Sequence, residues 1–394
     1  MIRPAKDFLR FALAVFAALL GFMPFAVGEV SFLNRGLVDV EVAGDVLLAI
    51  STDGELLRST NDGSSFSVSF TSDPFEKPQA LAASGQVVIA VCEGGVVLRS
   101  GDAGVTWGEA SFPLSFATLT SAATNGAGTW IAAGQSTGKG YLLRSTDNGV
   151  NWSSVAFSQE GSIETIDYDT TATTWMLGGW KLSGGRTGIA FRSTNGTSWS
   201  EVTLPAETTS VSAITANGAG QFGMVGANGF LAVLATDGSV IASDSQTFSE
   251  TLTAIDFSSA GDWIAGGMEN LLIRFALAGE ELTTSVAQAS LPGAPEVAAI
   301  SEDASGRLFV ASEVGFEASV PDPKVRIDLT DGELVITATG LGLGREYSLL
   351  KSTDLLAFEE VPDSSFVATS GTTRWIVSQE LAETTPVFWK LAEN

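Results

Sequence analysis

One phrase recurs along this chain, and its spacing dictates the fold. Leu57-Arg58-Ser59-Thr60-Asn61-Asp62-Gly63 returns as Leu98-Arg99-Ser100-Gly101-Asp102-Ala103-Gly104 and as Leu143-Arg144-Ser145-Thr146-Asp147-Asn148-Gly149. A copy shortened by one residue is Phe191-Arg192-Ser193-Thr194-Asn195-Gly196, and degenerate copies at Val233 to Gly238 and Arg274 to Gly279 keep the closing glycine. The arginine position advances by 41, 45, 48, 41 and 41 residues, the length of one four-stranded blade of a β-propeller. A last, weaker unit runs from Val297 to Val320.

Each unit opens with a short alternating or small-residue strand: Leu37 to Val42, Leu119 to Ala123, Ile163 to Tyr168, Val211 to Ala216, Leu252 to Phe257 and Val297 to Ser301. These are read as the inner strands. Bulkier, nearly continuous apolar runs follow at Val46 to Ile50, Val87 to Val91, Trp130 to Ala133, Trp175 to Gly178, Phe222 to Val225, Trp263 to Gly266 and Leu308 to Ala311. Runs of this length suit strands buried on both faces between neighbouring blades. The arginine phrase becomes the third strand and its turn, and the aromatic after it opens the fourth strand. The count predicts an all-β chain: a seven-bladed β-propeller over residues 29–322, with a small β-sandwich-like module over 325–394. In that module Val325 to Thr339, Tyr347 to Ser352, Thr373 to Val377 and Val387 to Leu391 read as strands. Pro321-Asp322-Pro323 cuts the seventh unit short of a fourth strand. Val30 to Leu33 is the expected donor that closes the ring, since an unclosed ring leaves a sheet edge exposed.

Residues 1–28 read as a secretory signal peptide: Arg3, Lys6 and Arg10, an apolar run from Phe11 to Phe25 broken by Gly21 and Pro24, then the small-x-small Ala26-Val27-Gly28. No later stretch approaches the ~20 apolar residues of a spanning helix. The expectation is a periplasmic or extracellular protein with no transmembrane segment in its mature chain. Cys92 is the sole cysteine, so no intramolecular disulfide forms and stability rests on packing. With 45 acidic against 20 basic residues, the surface repels nucleic acid. The sequence contains no histidine, which excludes Ser-His-Asp and Cys-His nucleophile pairs and every His-bound metal site. Neither a metal nor a cofactor is expected, and Glu280-Glu281 and Glu302-Asp303 lack the ligand spacing of an EF-hand.

Ser100-Gly101-Asp102-Ala103-Gly104-Val105-Thr106-Trp107 resembles the Asp-box pattern S-x-D-x-G-x-T-W of bacterial neuraminidase-type repeats. Ser59, Asn61, Gly63 and Phe66, and Ser145, Asp147, Gly149 and Trp152, match it nearly, while Ser193, Asn195 and Trp199 lack one residue of the turn. The resemblance implies a hairpin whose Asp or Asn bonds local N–H groups, whose Gly takes positive φ, and whose aromatic packs between blades. Over most of Val30 to Val320, though blades five to seven lack the box, the chain is also similar to the photosystem II assembly-factor propellers, which implies a binding scaffold rather than an enzyme. Asp-box propellers include sialidases and xyloglucan-active endoglucanases, which implies an alternative.

For that alternative, a secreted glycoside hydrolase, the candidates are the inner-strand residues Asp39, Glu164, Asp167 and Tyr168, with Glu41, Asp169 and Asp256 nearby. Paired carboxylates are the machinery of glycoside hydrolysis. The sialidase Phe-Arg-Ile-Pro element is absent. Arg58, Arg99, Arg144, Arg192 and Arg274 occupy one repeat position, and are expected to anchor neighbouring blades through carboxylates or carbonyls. The leading reading is a non-catalytic recognition propeller that binds a protein or glycan through its loop face. Lys77, Lys139 and Lys181 are the only lysines of the propeller body, all in loops of that face. Tyr141, Trp180 and Arg186 accompany them on the two longest loops, Gly134 to Gly140 and Gly178 to Gly188. Aromatic faces stack on sugars, and Lys and Arg bind acidic groups.

Overall fold

The computed structural model describes residues 36–318 except 111–116, 158, 183, 289–294 and 305, together with separate strands after residue 323. The leader 1–28 and the closing strand Val30 to Leu33 lie outside the described residues. Seven antiparallel sheets follow one another along the chain: 37–71, 78–109, 118–155, 162–202, 213–244 and 252–288 with four strands each, and 297–318 with three. In six of the sheets the strands stand in chain order from first to fourth, and in the seventh from first to third. This is a seven-bladed β-propeller.

Antiparallel meanders of this kind put the turns between strands one and two, and between three and four, at one end of every blade. The hairpins between strands two and three emerge at the other end, together with the connections to the next blade. We call these the turn face and the hairpin face.

The second strands are the most deeply buried elements. Val88, Ile89, Ala90, Val91 and Cys92 are all 0% exposed, as are Trp130, Ile131, Ala132 and Ala133, because each is covered by a neighbouring blade on either side. Their alternation divides the core into seams: Ile89 and Val91 face blade 3 with Trp130 and Trp152, while Val88 and Ala90 face blade 1 with Leu48 and Ile50.

The repeated phrases form the turns between strands three and four. In blades 1 to 3 the serine hydroxyl accepts the N–H of the closing glycine at 2.9–3.0 Å and donates to the Asn or Asp carboxamide or carboxylate at 2.7–2.8 Å. That side chain then accepts the N–H of Ser65, Thr106 or Asn151. In the shortened turn of blade 4, Asn195 accepts instead from Thr197 and Ser198. The following aromatics fill the seam behind each blade: Phe66 against Phe316, Trp107 in the seam between blades 1 and 2, Trp152 in the next, and Trp199 against Phe157.

Two of the phrase arginines reach the next blade through carbonyls, Arg58 to Ala103 and Arg99 to Asn148. Arg274 instead pairs with Asp262 of its own blade at 3.1 Å.

Two loops expected to be long and irregular are regular hairpins. In blade 3 pairing continues to Ser136 opposite Lys139, and a two-residue turn, Thr137 (φ 53) and Gly138 (φ 76), closes it in the geometry that matches strand twist. In blade 4 it continues to Leu182 opposite Arg186. Small residues read as loop signals in fact extend both strands beyond the blade body.

The chain divides into two compact units, one of them residues 29–304 with 308–318, and the C-terminal residues from 319 belong to the other. There the strands Lys324–Thr330, Glu333–Thr339 and Thr372–Val377 form one antiparallel sheet. Glu346–Ser352 pairs with Glu359–Glu360, Phe366–Val367 and Phe388–Glu393 in a second. The expected single strand Val325 to Thr339 is thus a hairpin. Among the described residues no helix is long and apolar enough to cross a membrane.

Candidate functional site at the channel mouth

The inner strands carry an irregularity at one shared position. Pairing with the second strand slips by one residue at Val38, Gln79, Thr120, Glu164, Thr253 and Ala298 in blades 1, 2, 3, 4, 6 and 7. In blade 5 the strand starts at Ala213 opposite Val225, and the N–H of Ser212 also donates to Val225, which puts Ser212 at the equivalent place. A bulge leaves one residue outside the ladder and re-aims its side chain.

Opposite the bulge in blades 3 to 6 stand Gly134, Gly179, Gly226 and Gly267, where a Cβ would run into the inner-strand backbone of Thr118, Ser162, Ser210 and Thr251. Glycine there permits the close approach.

Five of these bulge residues, from adjacent blades 2 to 6, line one cavity of about 410 Å³: Gln79, Thr120, Glu164, Ser212 and Thr253, joined by Trp180, Arg186 and Thr251. It opens toward the hairpin face. Trp180 is fixed from two sides: its indole N–H donates to Glu164 Oε1 at 2.8 Å, and the Arg186 guanidinium lies 4.5 Å from its ring centroid. The extended hairpin of blade 4 carries both residues over the channel.

Of the residues singled out from sequence, Trp180, Arg186 and Glu164 therefore come together. The others do not join them. Lys181, next along the strand, pairs with Glu201 of the outermost strand at 3.7 Å. Lys139 begins a third strand, its backbone paired antiparallel with that of Glu160. Lys77 donates to the Thr52 carbonyl at 3.0 Å. Tyr141 packs against the core between blades 2 and 3, its hydroxyl buried without a partner among the described residues.

Deeper in the channel wall, two inner-strand positions two residues apart latch blades 1, 3, 4 and 6 to the blade that follows each. At the first, Asp39, Ser121 and Thr165 accept the N–H groups of Leu81, Ile166 and Ile214. At the second, Glu41, Asp167 and Asp256 accept those of Ala83, Ala216 and Glu302 at 3.1, 2.7 and 2.7 Å. Burial pushes Asp39 up to about 7, Asp167 to about 6 and Asp256 to about 7, with the backbone hydrogen bonds opposing it. Glu41 is pushed well above its usual range by burial and then by the charges of Asp39, Asp256 and Asp167. Carboxyls of three blades thus share one field.

The residues read as a catalytic group are split by this arrangement. Glu164 stands at the mouth with Trp180, whereas Asp167 and Asp39 are latches further in. Tyr168 lies on the opposite face of its strand from Asp167, with its ring 4.5 Å from that of Trp175 in the seam toward blade 3. Among the described residues no group of three or more Cys, Asp or Glu side chains is placed to hold a metal ion.

No protein-family model matches the chain, and no curated protein matches it by sequence. Solved propellers do match its fold. YCF48 from Cyanidioschyzon merolae superposes with a TM-score of 0.55 at 15% identity, over 75% of this chain and 99% of that one. YCF48 bound to D1 peptide gives 0.57 at 13%, over 77% and 96%. Streptogramin B lyase gives 0.59 at 14%, over 75% and 96%. At such identities the likeness establishes the propeller, which serves binding proteins and an enzyme alike.

Proposed function

We propose that this is a secreted, non-catalytic recognition propeller that binds its partner at the channel mouth of the hairpin face. The observation that carries the reading is the ring of bulge residues. The phrase arginines repeat one residue type around the ring, as scaffold does. The bulge position instead repeats a backbone geometry while its side chain varies, as Val, Gln, Thr, Glu, Ser, Thr and Ala. A constant frame displaying different groups into one polar cavity is the construction of a binding site. That a propeller of similar fold is known with a bound peptide supports a protein partner, and the apolar start of the chain supports export.

A glycosidase is the second reading, favoured by Asp39, Asp167 and Asp256, whose raised values suit a general acid. Against it, each carboxyl spends an oxygen on the backbone of the next blade.

The test places a photo-crosslinking residue at Leu182 on the hairpin face, or at Val150 on the turn face, both exposed, in the chain starting at Glu29. Partner adducts from the secreted fraction are expected from position 182 and not from 150. Release of reducing sugar from sialosides or plant and algal polysaccharides, lost in Asp167→Asn, would replace this reading with the enzymatic one.

A further inference from the structure

We propose that the cavity at the channel mouth receives a neutral, hydroxyl-rich sugar unit of mono- to disaccharide size. This rests on the reading of the hairpin face as the binding face and specifies what it takes.

The lining decides the ligand chemistry. Thr120 and Thr253 already donate their hydroxyl protons to the next blade, at 2.6 Å to Ile163 and 2.7 Å to Val297, so they offer the cavity only acceptor lone pairs. Glu164 has given one carboxylate oxygen to Trp180 and keeps the other. The Ser212 and Thr251 hydroxyls have no partner among the described residues and can turn either way. Arg186 supplies donors and makes no salt bridge among the described residues.

The required ligand therefore both donates and accepts at several adjacent atoms, which is the pattern of vicinal hydroxyls. An apolar ligand would strand these groups without partners, at a cost of ~1–3 kcal/mol for each buried one. An acidic ligand meets Glu164 at the mouth and the field of Asp39, Glu41, Asp167 and Asp256 beyond it. A basic one meets Arg186. One charge of each sign leaves the rim neutral in a chain of net charge -25. Trp180, held by Glu164 and Arg186 in one orientation, adds a rigid aromatic edge to the wall at little entropic cost. The volume, about 410 Å³, lies toward the lower end of small-ligand pockets.

The experiment is calorimetric titration of the purified chain from Glu29 with cellobiose, maltose, lactose and xylobiose, against digalacturonate, a glucosamine disaccharide and a library of unglycosylated peptides. Indole fluorescence is followed in parallel. At least one neutral disaccharide should bind and perturb the fluorescence. Trp180→Ala should weaken it about tenfold or more, and Thr251→Val and Ser212→Ala about threefold to tenfold. Neither hydroxyl bonds to another described residue, so these two variants should melt as the unmodified chain does. If no neutral disaccharide binds at millimolar concentration while the acid, the amine or a peptide does so in a Trp180-dependent manner, the sugar assignment falls and the binding face stands. If binding is found that ignores Trp180, Ser212 and Thr251, both fall.

Discussion

The Nε–H of Arg99 in blade 2 donates to the carbonyl of Asn148 in the turn of blade 3 at 2.7 Å. The same bond joins Arg58 to Ala103, one blade earlier, at 2.9 Å. Both acceptors are the left-handed residue before the closing glycine, Asn148 with φ 59 and Ala103 with φ 53. The shortened turn of blade 4 lacks that residue, and Arg144, the next arginine in the series, is left with a buried Nε that has no partner among the described residues.

The series therefore contains its own control. Arg99→Met should lower stability by about 1 kcal/mol, the net worth of one hydrogen bond, whereas Arg144→Met should be neutral or slightly stabilising because it removes an unsatisfied buried donor. Urea midpoints of the two variants check this, and equal losses would show that the arginines act by packing alone.

The turn glycines have two separate reasons to be glycine. At Gly104, φ is +77 and a Cβ would lie 2.5 Å from Leu48 Cδ2 of blade 1; at Gly44, φ is +66 and nothing lies within 4 Å. Gly44→Ala should cost about 1 kcal/mol of backbone strain, and Gly104→Ala about 2 kcal/mol or more, since the blade seam must also open. Thermal unfolding of both variants separates the conformational from the steric part.

This contrast shows what was legible in the chain. Blade number, the second strands and the turns could be read because each rests on local chemistry repeated in sequence. The latches could not. Asp39 and Asp167, with Asp256 nearby, read as candidate paired carboxylates of the channel, yet their partners lie 42, 49 and 46 residues away in the next blade, a distance that alternation within one strand does not encode. The bulge ring was missed for a related reason: a one-residue slip is a property of pairing, not of one strand. Its trace was present in Gly134, Gly179, Gly226 and Gly267, which end the apolar runs of four consecutive blades. Lys77, Lys139 and Lys181 share a face of the sequence repeat, but Lys77 bonds the Thr52 carbonyl, Lys181 pairs with Glu201, and none of the three lines the cavity, so charge type alone did not mark the site.

The carboxyls also set the pH dependence. Asp39, Asp167 and Asp256 have folded values of about 7, 6 and 7, above the unfolded value near 4. Between those values the folded state holds more protons, so stability falls as pH rises from about 4 through 7. Asp102 and Asp147, held down to about 2 by hydrogen bonds from Thr106 and Asn151, act oppositely: their contribution is lost as pH falls from about 4 to 2. Melting temperature should peak near pH 4 to 5, and Asp39→Asn should flatten the decline on the alkaline side. A Tm that climbs steadily to pH 8 would contradict the placement of these groups.

Cys92 closes the second strand of blade 2 and is 0% exposed. Burial first, and then the charges of Glu76, Glu93 and Glu109, push its thiol far above the usual range. Since only the thiolate reacts, and only when reached, a maleimide should leave the folded protein unlabelled and modify one site per chain in urea. The labelling rate under native conditions then reports how often the core of blade 2 opens. It should rise in Gly104→Ala, whose turn belongs to the same blade, and remain unchanged in Ser212→Ala, whose side chain faces the cavity. Rapid labelling of the unmodified chain without denaturant would mean that blade 2 is not the closed, doubly covered sheet described above.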